Sequence, residues 1–305
     1  FASILATREY CPPCPTILPH GSREDANTAA ASWICPQQGA SQGFRWLSSW
    51  NTSGCVQGSA ERLQAGHQAQ RADATPDRSL DWPQDWFVID MEHSPNELND
   101  VLLQLQVSQR GEAEPVVRVP WNEPVMVKRV LDCGAQTILF PWVNTAEEAE
   151  AAVASTRYPP SGMRGVMSLA RMNNYGAANP SYYHEAAGQL CNIVQIETKK
   201  AVDNIEEIAA VEGVDALFIG PSDLSASMGH IGNPNHPEVR DTIEGAFRRI
   251  KATGKASGFL TANHADCKWA LELGCNFVAV GSDVQMLTAA ARAAAADFHS
   301  FCEKL

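Results

Sequence analysis

No stretch of the 305-residue chain approaches the ~20 consecutive apolar residues that a membrane-crossing helix needs, and mean hydropathy is −0.21. Basic charge is scarce. Against 35 Asp and Glu there are 23 Lys and Arg, and the net charge of −12 argues against a nucleic-acid partner held on a basic face. The opening residues FASILATREYCPPCPTILPH lack a basic start followed by an apolar run, so no secretory signal is read there. Cysteines number nine, an odd count scattered over a long chain, which speaks against a disulfide scaffold and for a reducing, cytoplasmic setting. A Gly-rich dinucleotide fingerprint is also missing after every candidate strand.

What is present is unevenly distributed. Residues 1–80 carry six Arg, no Lys and six acidic side chains, so the whole net charge falls in residues 81–305, with 17 basic and 29 acidic groups. The first eighty residues hold only nine Val, Ile or Leu, too few to offset the entropy of ordering a core of their own. The sequence therefore divides into a poorly ordered segment, 1–81, and a folded domain, 82–305. Cys11 and Cys14 form a CPPC pair, but a zinc site needs a second close-spaced pair, and none follows.

From Trp82 short apolar runs alternate with amphipathic stretches. Strands are predicted at 86–90, 116–119, 137–143, 192–196, 215–219, 256–260 and 277–280. Ser94-Pro95-Asn96-Glu97 reads as a capping box ahead of a helix that turns Leu98, Val101, Leu102 and Leu105 inward. Thr145 repeats the capping logic, a helix over 198–211 follows the fourth strand, and Asp283 opens a last helix towards Phe301. Such alternation implies a parallel sheet covered by helices, either an open doubly wound sheet or a closed α/β barrel. Polar residues at nearly every strand end favour the barrel: Asp90/Glu92/His93, Arg118, Gln195/Glu197, Ser222/Asp223, Asn263 and Ser282/Asp283. Seven strands are counted, so the eighth is expected before residue 86.

Glu197 and Asp223 close two consecutive strands, side by side at the mouth. Two readings stand: a seat for Mg²⁺ or Mn²⁺, which take oxygen ligands, or a solvated or proton-sharing acid pair. His93 shares that rim and suits general acid–base work, against a purely structural role. Arg118 is placed to hold an oxyanion. The turn Gly220-Pro221-Ser222-Asp223 offers backbone N–H groups to a carboxylate.

The segments FVIDMEHSPN, VVRVPWNEPVMVKRVLDCGAQTILFPWV, RYPPSGMRGV, VQIETKKAVDNIEEI and LFIGPSDLSASMGHIGNPNHPEV closely resemble the HpcH/HpaI aldolase family, over about Trp86 to Phe298. The resemblance implies a (β/α)8 TIM barrel and a metal-dependent class II aldolase, reversibly cleaving a 4-hydroxy-2-oxo acid to pyruvate and an aldehyde. It implies a divalent metal (Mg²⁺, Mn²⁺ or Co²⁺) on Glu197 and Asp223, with Gln195 beside it. His93 is implied as the catalytic base with Asp132 as its carboxylate partner, and Arg118 as the group steadying the 2-oxo oxygen. Backbone at Ser222 and Asp223 would seat the pyruvate carboxylate, and Leu260 would meet its methyl group. It further implies a homo-oligomer, commonly a hexamer that exchanges a C-terminal helix.

Departures from the family pattern carry expectations of their own. Met91 replaces a usual Gly and is expected to crowd the pocket or re-angle His93, Pro141-Trp142 replaces Pro-Met, and the loop MSLARMNNYG is expected to border the aldehyde end. No first strand and helix are legible before Trp82, so the first β/α unit is expected to be atypical or missing, with GFRWLSSW (43–50) as a makeshift strand. Two other functional readings remain: an acyl-CoA lyase of the citrate-lyase β type, disfavoured by the acidic balance, and an impaired barrel retaining only metal or pyruvate binding.

Overall fold

In the computed structural model, residues 85–302 are described apart from 110, 112 and 179. The predicted segment 1–81, with its makeshift strand, lies outside the described residues. Seven strands follow one another: β1 (Trp86–Asp90), β2 (Glu114–Arg118), β3 (Thr137–Phe140), β4 (Cys191–Ile196), β5 (Ala216–Ile219), β6 (Ala256–Leu260) and β7 (Phe277–Ala279). All pair in parallel and in sequence order, β1 through β7. Each matches a run read from the sequence, because strands buried on both faces read as short continuous apolar segments. The sheet curls into a nearly closed barrel. The Trp86 ring on β1 meets Phe277 on β7 edge-on, centroids 5.6 Å apart.

Side chains alternate across the sheet. One file packs inside the barrel: Trp86 and Val88, Val116, Leu139, Cys191 and Ile193, Ala216 and Phe218, and Phe277. The other, including Ile89, Val117, Ile138, Val194, Leu217 and Phe259, packs under the surrounding helices. Gly258 belongs to the inner file, where a Cβ would collide with the rings of Phe218 and Phe277.

The covering helices are α1 (Leu98–Ser108), α2 (Pro124–Asp132), α3 (Ala146–Thr156), α4 (Ser181–Gln189), α5 (Lys199–Asp203), α6 (Ile205–Ala210), α7 (Pro221–Ser227), α8 (Pro237–Ala252), α9 (His264–Glu272) and α10 (Asp283–Cys302). Thr145 caps α3 as predicted, its hydroxyl accepting from Glu148 N. The first helix is a correction: it starts at Leu98, and the capping box is formed by Glu97 and Asp100, not by Ser94 and Glu97. Ser94 Oγ and Asn96 Nδ2 donate instead to Asp90 O, so that stretch fastens the end of β1. The predicted helix over 198–211 divides at Asn204 into α5 and α6. Along α10 no residue is buried, and Val284, Met286, Leu287, Phe298 and Phe301 are exposed. Among the described residues no helix is long and apolar enough to cross a membrane.

Overfilling the inner file costs stability. Gly258→Ala is expected to lower unfolding free energy by about 1–3 kcal/mol, read as a lower denaturation midpoint in urea. An unchanged midpoint would contradict this packing.

Candidate active site

The inner file turns polar at its upper end. Asp90 and Arg118 are register partners on β1 and β2, and Gln195 continues the Cys191–Ile193 file on β4, with Glu197 two residues beyond. Arg118 holds Asp90 bidentately, Nε to Oδ1 at 2.8 Å and Nη2 to Oδ2 at 2.7 Å. Its Nη1 lies 3.0 Å from Glu92 Oε2 as an ion pair and donates to Gln195 Oε1 at 3.4 Å. Asp90 Oδ1 also accepts from the backbone N–H of Glu92 at 2.9 Å, which fixes the turn carrying His93. Burial pushes the Asp90 carboxyl up, but the Arg118 hydrogen bond and charge outweigh it and hold the group below the usual carboxylate range. Burial likewise works against the Arg118 charge, and Asp90 with Glu92 and Glu197 more than restores it.

Glu197 is almost fully buried. Its Oε1 accepts from Trp142 N and its Oε2 from Gln195 Nε2, each at 2.6 Å. Burial, with Glu92 and Asp223 nearby, nevertheless pushes its carboxyl up to about 7. Burial also raises Glu92, opposed by Arg118 and His93 and reinforced by Asp90 and Asp223. Asp223 on α7 therefore stands close to both. A Cβ at Gly220 would lie 2.6 Å from Glu197 Oε2, so glycine there makes room for the carboxylate.

The predicted residues meet in part. Arg118, Gln195, Glu197 and Asp223 share the mouth, with Leu260 ending β6 on the same rim. Ser222 and Asp223 lie in the first turn of α7, where backbone N–H groups have no helical acceptor. His93 is 61% exposed, its Nε2 3.6 Å from Glu92 Oε2. Asp132 is not brought to it. The residue ends α2, which starts near the mouth and runs to the opposite end of the barrel, where Arg164 Nη2 lies 3.4 Å from Asp132 Oδ1. There Arg164 is buried, over the Tyr158 ring at 4.6 Å. Burial raises the Asp132 carboxyl, and Arg164 and Lys128 offset part of this.

Two further expectations are corrected. Met91 does not crowd the pocket: alternation sends it into the core beneath the helices, while Asp90 faces inward. The loop MSLARMNNYG lies, within this chain, at the end away from the mouth, with Arg171 donating to the carbonyls of Cys133 and Leu105. Sequence reasoning did not foresee the Trp142 N–H on Glu197, which follows from a φ of +58° that no propensity signals. Nor did it single out His230, His236 and Glu238, whose ligand atoms cluster within 4.8 Å. His230 Nε2 sits 2.9 Å from Glu238, and His236 Nδ1 accepts from Glu238 N, so both rings fasten the start of α8.

A parallel barrel with acidic groups and one bidentate arginine at its C-terminal mouth is an enzyme architecture. The sequence profile of the HpcH/HpaI aldolase/citrate lyase family matches residues 76–290, and the chain belongs to that family. A 4-hydroxy-2-oxo-heptane-1,7-dioate aldolase of Salmonella heidelberg is 53% identical over 215 residues, 70% of this chain and 81% of that protein. A Klebsiella pneumoniae protein of the same name matches equally over the same share of each chain. The crystal structure of a Burkholderia cenocepacia HpcH/HpaI aldolase/citrate lyase family protein superposes with TM-score 0.68 at 37% identity, covering 82% of this chain and 93% of that one. The chain is an aldolase, a carbon–carbon lyase.

Glu197 also makes stability depend on pH. A carboxyl raised from 4.5 to about 7 binds its proton more tightly folded than unfolded. Its contribution is favourable below pH ~4.5 and is lost as pH rises to about 7. Metal-free Glu197→Gln should therefore exceed the wild type in stability at pH 8, by up to about 3 kcal/mol, and lose that advantage near pH 4.5. Parallel denaturation curves at the two pH values test this, and an advantage that does not change with pH would refute it.

Proposed function

We propose that the chain cleaves a 4-hydroxy-2-oxo acid to pyruvate and an aldehyde, reversibly, with Mg²⁺, Mn²⁺ or Co²⁺ held by Glu197 and Asp223. The observation that carries this is the buried Glu197 at the barrel mouth, fixed by Trp142 N and Gln195 Nε2, with the Asp223 and Glu92 carboxyls close by. The donor set fits a hard cation. Each Glu197 oxygen accepts one protein hydrogen bond and keeps a lone pair, and Glu92, ion-paired to Arg118 Nη1, adds a further carboxylate beside it. When bound, the metal supplies Lewis acidity to the 2-oxo group of the substrate.

The protein's own groups account for the remainder. Cleavage removes the proton of the C4 hydroxyl, breaks C3–C4 and sends the electron pair towards the C2 oxygen, after which C3 is reprotonated. Arg118, fixed by Asp90 and Gln195, presents positive charge where that oxygen becomes negative. The first-turn N–H groups of Ser222 and Asp223 seat the carboxylate, and Leu260 meets the methyl group. His93, exposed at the rim, moves the hydroxyl proton. Asp132 reaches a His93 only across an interface between two copies, so this role requires a homo-oligomer, a hexamer by resemblance to the family. The exposed apolar residues of α10 suit exchange of that helix between neighbours. A cytoplasmic setting agrees with the free thiols of Cys133, Cys267, Cys275 and Cys302.

Chelation with EDTA is expected to abolish pyruvate release from a 4-hydroxy-2-oxo acid, and added Mg²⁺, Mn²⁺ or Co²⁺ to restore it. Activity indifferent to EDTA would remove the metal assignment. Alanine at His93 should lower kcat at least a hundredfold while calorimetric metal affinity holds. Metal affinity should weaken as pH falls through about 7, because Glu197 takes up a proton. Mixed oligomers of inactive His93→Ala and Asp132→Asn chains should recover activity that neither has alone. Failure to recover it would place the partner of His93 elsewhere.

A further inference from the structure

Trp142 stands in a conformation that a bulky residue rarely adopts. Its φ of +58° lies in the left-handed region, where an L-residue costs free energy that glycine does not. Both backbone polar atoms are pinned there. The N–H donates to Glu197 Oε1 at 2.6 Å, and the carbonyl accepts from Asn144 Nδ2 at 2.9 Å. Asn144 is held in turn by the Thr198 hydroxyl, so the main chain at Trp142 is set from two directions.

Folding gains little from the indole itself. Trp142 remains 41% exposed, and its ring stacks on Trp121, which is 52% exposed, with centroids 6.4 Å apart and planes 28° from parallel. Trp121 follows Arg118 by three residues, off the end of β2. The two indoles thus stack on the strand ends that carry Arg118 and the N–H donor to Glu197, an aromatic shelf at the mouth of the barrel. Strain at an exposed aromatic next to a catalytic carboxylate is spent on function rather than on packing.

We propose that Trp121 and Trp142 form the subsite for the carbon substituent of the aldehyde, and that this subsite favours planar or apolar groups. The proposal rests on the aldolase reading above and adds the class of second substrate. A flat apolar group meets two open indole faces.

The test is condensation of pyruvate with paired aldehydes, acetaldehyde as the small reference and phenylacetaldehyde as the aromatic probe. The wild-type enzyme should show the lower KM for phenylacetaldehyde. In Trp142→Met the ratio of kcat/KM, phenylacetaldehyde over acetaldehyde, should fall about two- to tenfold, mainly through KM. Trp121→Leu, which leaves the main chain at Glu197 untouched, should lower the same ratio and guards against misfolding of the first variant. A ratio unchanged in both variants, or a wild-type preference for the small aldehyde, overturns the subsite. Absence of condensation with either aldehyde would instead count against the aldolase reading.

Discussion

One guanidinium organises the mouth of this barrel. Asp90, Glu92, Gln195 and Glu197 all lie within the influence of Arg118, whose fork is taken up bidentately by Asp90. Four carboxylates cannot share a half-buried space fully ionised without compensation. The arginine supplies part of it, holding Asp90 charged, while Glu197 and Glu92 are left with raised proton affinity. That residual imbalance is what a divalent cation would relieve. The pocket can be rigid, yet short of positive charge, because Arg118 is anchored through Asp90 to the same backbone turn that carries His93.

The fold was largely legible because parallel strands covered on both faces leave short apolar runs. Polar residues break those runs only where the inner file reaches solvent, which is how Arg118, Gln195 and Glu197 could be read. Helix starts were less legible. Ser94 and Asn96 donate to Asp90 O instead of accepting from helical N–H groups, and the cap passed to Glu97. The Met91 expectation failed on direction rather than size, since neighbouring residues on a strand face opposite layers.

Asp132 illustrates a different limit. Its motif gives the residue but not the end of the barrel on which it sits, and one helix length separates the start of α2 from its last residue. Trp142 lies beyond sequence reading for another reason. Its conformation is imposed by Glu197, fifty-five residues later in the chain, and by Asn144 and Thr198 around it. Such long-range constraints leave no periodic trace.

The alternation of the strands has a consequence for how this protein tolerates change. Asp90 and Arg118 face inward because each stands an even number of positions from Val88 and Val116 in the inner file. Insertion or loss of a single residue inside β1 or β2 would reverse that parity. The guanidinium would then turn under the helices and an apolar side chain would face the substrate. Chain-length changes of one residue are thus more damaging in these strands than most substitutions, whereas the loops between elements absorb them.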